Sequence, residues 1–180
     1  MSEMFFNSLW LFLGVVAGAA IQFTLNWIVL RQQRSTAKRL FRVETAINRE
    51  ELRKLSKDLK RKKERFVARQ VSDGDFFIDM SGFNYRIIDP LVNTGHFHSL
   101  LGPDGVAQYF RFANELNIER ASWMMDALRA QHEAGQSLGF LDWLIDTKLP
   151  EWETSLSLVE GKLGAPVSSE QKAHLPNGSL

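Results

Sequence analysis

The sequence predicts a mainly α-helical, membrane-anchored protein, and three observations carry that expectation. Residues 9–30 form a 22-residue run with no ionisable side chain. No Gly or Pro occurs between Gly18 and Gly74, so nothing in the composition breaks a helix across that stretch. From Pro103 to Leu163, apolar residues recur at the spacing of three and four that marks one face of a helix. The expected architecture is one N-terminal transmembrane helix, a basic juxtamembrane helix able to form a short coiled coil, and a small C-terminal bundle of three or four helices. The expected boundaries are a tail at 1–8, the span at 9–30, the basic helix at 31–70, a hinge at 71–75, an acidic helical domain at 76–163 and a disordered tail at 164–180.

The span comes first. At about 1.5 Å per residue it reaches roughly 33 Å, enough to cross a hydrocarbon core of about 30 Å. Trp10 and Trp27 stand near its two ends, with Phe5, Phe6 and Phe12 beside the first, as interfacial aromatic belts require. A cleaved signal peptide is the competing reading, and Ala17-Gly18-Ala19-Ala20 imitates a cleavage site. The preceding residues carry no Lys or Arg, however, where a signal sequence is normally positive. Arg31, Arg34, Lys38, Arg39 and Arg42 follow the span at once. By the positive-inside rule, the N-terminus lies outside the cell membrane and the C-terminal domain in the cytoplasm. Within the span, Gly14, Gly18, Gln22 and Asn26 recur every fourth residue and form one slanted stripe. Two glycines in GxxxG spacing allow close backbone approach, and two amides in hydrocarbon call for a hydrogen-bonding partner. The stripe is therefore the expected site of helix–helix association, with a second copy or with another protein.

The net charge of +1 hides an asymmetry. Residues 31–70 hold 15 Lys/Arg against 5 Asp/Glu, a net of +10. Residues 71–180 hold 7 against 15, a net of −8. Three readings suit the basic segment: contact with anionic lipid headgroups through Arg31, Arg34, Lys38, Arg39 and Arg42; a short parallel coiled coil; or nucleic-acid binding at Lys60-Arg61-Lys62-Lys63. The last lacks interleaved aromatic residues, since only Phe41 and Phe66 lie among the charges. Leu52, Leu55, Leu59 and Phe66 form one apolar stripe, with Lys62 in the missing seam position. Leu40, Val43 and Ile47 form another, out of phase with it. Opposite charges also allow the acidic domain to fold back on the basic helix as an electrostatic latch. Ser35-Thr36 is the one weak point at which the long helix could end and restart.

Beyond the turn at Val71-Ser72-Asp73-Gly74-Asp75, residues 76–88 suit either a short hairpin or an extended arm packed on helices. Asp89-Pro90 opens a short helix that Gly95 closes, and Pro103-Asp104 opens the next, with Val106, Tyr109, Phe110, Ala113 and Leu116 inward. A helix over about 118–134 places Ala121, Met124, Met125 and Leu128 on one face. Gly135 and Gly139 bracket a break, and Pro150 opens a last helix carrying Trp152, Leu156, Val159 and Leu163. Trp123, Trp143 and Trp152 are expected in the core; any of them found exposed marks a binding surface.

Catalytic signatures are weak throughout. The chain has no cysteine, which excludes disulfides, catalytic thiols and thiolate-bound metals. His96-Phe97-His98, read as extended chain, puts two imidazoles on one side and is the sole candidate metal pair. Its third ligand would come from His132, Glu133 or Asp89. Asp142 and Asp146 fit the polar face of an amphipathic helix. Asp73-Gly74-Asp75 lacks the rest of a calcium loop, and Gly102-Pro103-Asp104-Gly105 lacks the lysine of a phosphate loop. Neither Ser122 nor Ser155 has a His–acid partner at recognisable spacing. No cofactor is implied. The expected role is a non-enzymatic, single-pass adaptor or regulatory protein. An oligomerising subunit of a membrane transport, channel or stress/defence complex is the alternative, and a metal-dependent hydrolase using His96 and His98 is third.

Overall fold

The computed structural model describes residues 2–164. The tail expected at 164–180 lies, apart from Gly164, outside the described residues, as do the side chains of residues 1–9. The fold is mainly helical, with no strand among the described residues. The helices are α1 (Ser2–Val67), α2 (Ile88–Asn93), α3 (His96–Glu115), α4 (Ile118–Glu133), α5 (Ser137–Trp143) and α6 (Leu149–Leu163). A 3-10 turn covers Asp73–Phe76 and a π-helical turn covers Leu144–Lys148. Ser35-Thr36 does not interrupt α1. The chain divides into two compact units, one ending at Arg39 and one beginning at Leu40.

In the first unit, residues 10–36 are exposed along their whole length. This part of α1 is the one helix among the described residues long and apolar enough to cross a membrane. Thr24 donates its hydroxyl to the Ala20 carbonyl at 2.8 Å, a back-bond that satisfies a polar group without a second helix.

The second unit has a core in which the end of α1 is a full participant. Leu52, Leu55, Leu59 and Phe66 are buried with Ile78 and Met80 of the arm, Phe112, Leu116, Met124, Leu128, Leu141, Leu144, Trp152 and Leu156. Residues 40–67 of α1 therefore belong to the same compact unit as the later helices. Lys62, in the missing seam position, is buried and pairs with Asp58 one turn back. Ion pairs rim this packing: Arg49–Glu160 at 2.7 Å, Lys63–Asp142 at 2.6 Å and Arg65–Asp75 at 3.1 Å.

The hairpin alternative for residues 76–88 is not what forms. The chain there is a 3-10 turn and an extended arm, because its backbone groups are met one at a time by side chains rather than by a second strand. Asn48 of α1 both donates to the Asn84 carbonyl (2.8 Å) and accepts from the Asn84 N–H (2.7 Å), and Glu44 accepts from the Ile87 N–H (2.9 Å). Gly95 closes α2 in the left-handed conformation at φ 70°. Gly102 kinks α3 at φ 68°, ψ 172°, and Pro103 starts its second half. Gly139 falls inside α5 rather than in a break. Phe110 is 40% exposed rather than inward, its ring edge on Phe97 at 5.5 Å; Phe112 takes the core position instead.

Candidate interaction surface

Two side-chain constellations stand out in the second unit, one open and one closed. The open one runs across α4, α5 and the π-helical turn. Helical spacing of three puts Arg120 beside Trp123 on α4 and Phe140 beside Trp143 on α5. The rings form a ladder: Trp123 to Phe140 at 6.4 Å, then Phe140 to Trp143 at 5.5 Å. Phe140 and Trp143 are half-buried and rest on the core, whereas Trp123 is 46% exposed. A cation caps each end, with the Arg120 guanidinium 4.9 Å from the Trp123 ring and the Lys148 ammonium 5.7 Å from the Trp143 ring. The π turn begins directly after Trp143 and ends at Lys148. Lys148 is fixed there by Glu115 at 3.0 Å and Glu151 at 2.9 Å. Glu115 also accepts from the Trp152 indole at 2.8 Å. Burial alone pushes Glu115 up, but Trp152 and Lys148 bring it below the usual carboxylate value. Aromatic and arginine side chains are enriched where proteins dock, which makes this face a candidate interaction surface.

The closed constellation centres on Glu44, which has no exposed surface. One carboxylate oxygen accepts from the Tyr109 hydroxyl at 2.6 Å and the other from the Ile87 N–H. Tyr85 donates to the Leu116 carbonyl at 2.8 Å. Phe41 lies against Tyr109 at 4.9 Å and Phe97 at 5.7 Å. Burial pushes Glu44 above its ordinary value, with Tyr109 and Ile87 pulling back; burial followed by the Glu44 charge pushes both tyrosines far up. This cluster ties α1 to the arm and to α3 and offers solvent no reacting atom.

The residues singled out in the sequence are dispersed. A Cβ at Gly14 or Gly18 meets nothing within 4 Å, and Gln22 and Asn26 are exposed. Arg31 stacks on Trp27 at 5.3 Å, and with Ser35 and Arg39 they line one shallow groove. Arg34 is exposed and Lys38 half-buried. Arg42 is directed elsewhere, donating through Nε (3.1 Å) and Nη2 to the Leu163 carbonyl at the end of α6. His96 and His98 are not on extended chain. They lie in the first turn of α3, where neighbours two apart diverge by about 200°. Phe97 between them is fully buried. His132 sits against the rings of Phe66 and Phe76, at 5.4 and 5.2 Å. Among the described residues, no three His, Asp or Glu side chains converge as metal ligands. Asp75 is engaged by Ser72 and Arg65.

Sequence reasoning missed Phe41, Glu44 and Asn48. Their spacing continues the Leu52, Leu55, Leu59 face, but two of the three are polar, so a count of apolar residues passes over them. No protein-family model, curated protein or solved structure matches this chain.

Proposed function

We propose that this is a non-enzymatic membrane adaptor or regulatory protein. The N-terminal span anchors it with its N-terminus outside, and the helical unit docks a cytoplasmic protein through the Trp123 face. The observation that carries the reading is the 46% exposure of Trp123 at the end of a ring ladder whose other members are seated on the core. An exposed tryptophan costs solubility, and its neighbours hold it rigid, which reduces the entropy lost on binding. Arg31, Arg34, Lys38 and Arg39 would meet anionic headgroups just inside the bilayer, each adding about 1 kcal/mol of attraction. Arg42 contributes less there, because its guanidinium already serves the Leu163 carbonyl.

The test is capture from mild detergent with the tagged full-length chain, beside Trp123→Ala and Arg120→Ala variants. Full length is needed, because a cut at the 71–75 turn removes Leu52, Leu55, Leu59 and Phe66 from the core. A partner held by the wild type and lost from Trp123→Ala supports the reading. The same partner set on all three chains sinks the docking face. A partner lost only when the span is replaced moves recognition into the membrane stripe.

A further inference from the structure

Leu40, Val43 and Ile47 are 48%, 54% and 40% exposed, although α1 is packed into the bundle at these same turns. The packing uses the adjacent face: Phe41, Glu44, Thr45 and Asn48 are buried. This part of α1 is thus apolar on a face that its own bundle leaves open. The change of phase between this stripe and Leu52-Leu55-Leu59 is the point at which α1 stops presenting apolar residues outward and turns them inward.

We propose that Leu40, Val43 and Ile47 form the seam on which a second copy of this chain packs in parallel. The spacing is that of a, d and a positions of a heptad. Counted forward, the same register reaches Glu50 and Lys54. Like charges would face each other there, and the seam ends.

The occupant follows from the anchor, so the inference rests on the spanning reading above. A single-pass span inserts every copy in the same direction and at the same depth. Two copies side by side are parallel and in register without further cost, and Leu40 meets Leu40, Val43 meets Val43 and Ile47 meets Ile47. A like-with-like apolar seam is self-complementary in that arrangement. The seam shares no residue with the Trp123 face.

The chain has no cysteine, so single cysteines report the seam directly. Full-length Leu40→Cys, Val43→Cys, Ile47→Cys and the off-seam control Arg129→Cys on α4, whose side chain is 60% exposed, are reconstituted at low density in phosphatidylcholine vesicles and oxidised. The expected result is severalfold more disulfide-linked dimer at positions 40, 43 and 47 than at 129. Donor- and acceptor-labelled copies should lose energy transfer on Val43→Glu with Ile47→Glu, both surface changes. Equal cross-linking at 129, no cross-linking between purified copies, or energy transfer unchanged by the double substitution overturns the proposal. Protein that fails to float with the vesicles overturns the spanning reading and with it the parallel alignment.

Discussion

Replacing Glu44 tests the closed cluster most directly. Glu44→Ala removes both acceptors at once, leaving the Tyr109 hydroxyl and the Ile87 N–H buried without them. Each orphaned group costs about 1–3 kcal/mol, partly offset because a buried carboxylate is itself removed. The net expected loss is about 2–4 kcal/mol, a large part of the stability of a domain this size. Glu44→Gln keeps an oxygen for Ile87 and places an amide against Tyr109, so its cost is expected within about 1 kcal/mol. The two glutamate forms also separate with pH. Burial raises the folded value of Glu44 above its ordinary 4.5. Its contribution is therefore fully present below about 4.5 and lost as pH rises through the folded value, by at most about 1.4 kcal/mol per pH unit. Glu44→Gln does not titrate, so its stability relative to wild type should improve as pH rises above about 4.5 and level off once the folded Glu44 carboxyl has ionised. The assay is urea unfolding of the full-length chain in mild detergent, followed by tryptophan fluorescence and near-UV circular dichroism. Glu44→Ala within about 0.5 kcal/mol of wild type, or a Glu44→Gln gap that does not change with pH, would refute the reasoning.

Two further predictions concern the same unit. Glu115 has the opposite sign from Glu44: held below its ordinary 4.5, it contributes stability above about that pH and loses it as pH falls through the folded value. Glu115→Gln should cost about 1–2 kcal/mol near neutrality and nothing in acid, read by the same unfolding curves at several pH values. Gly105→Ala should destabilise by about 1–2 kcal/mol, although alanine is the better helix former, because its Cβ would lie 2.9 Å from the Leu101 Cβ. A gain in thermal midpoint for Gly105→Ala would show that the close approach at the Gly102 kink relaxes freely.

How much of this was readable in advance depends on what each residue competes against. An uncharged run of 22 residues has few destinations other than a bilayer, so composition alone suffices to propose the span. Helix ends at Gly95 and Gly135, the helix start at Ile118 and the buried face Trp152, Leu156, Val159, Leu163 were equally legible, since backbone conformation and periodicity are local. His96 and His98 were misplaced because a pair flanked by glycines looks like loop, whereas Phe97 needs a core position and pulls its neighbours into a helix. Leu40, Val43 and Ile47 read as a coiled-coil stripe in the sequence, and they remain the exposed face. What was hidden was the face beside them, where Glu44 and Asn48 are buried because the arm and Tyr109 supply partners from 36 to 65 residues away.

The sequence by itself determined the helical class, the apolar N-terminal segment, the charge division and the absence of thiol chemistry. These follow from side-chain polarity, backbone freedom and counting, and need no partner to be known. Tertiary structure alone decided that the end of the basic helix is a wall of the core. It also decided that the hairpin is an arm pinned by Asn48, and that Trp123 faces water while Trp152 does not. Apolar periodicity says which residues share a face, but which face is covered depends on contacts between segments far apart in the chain. Only the folded molecule brings those segments together.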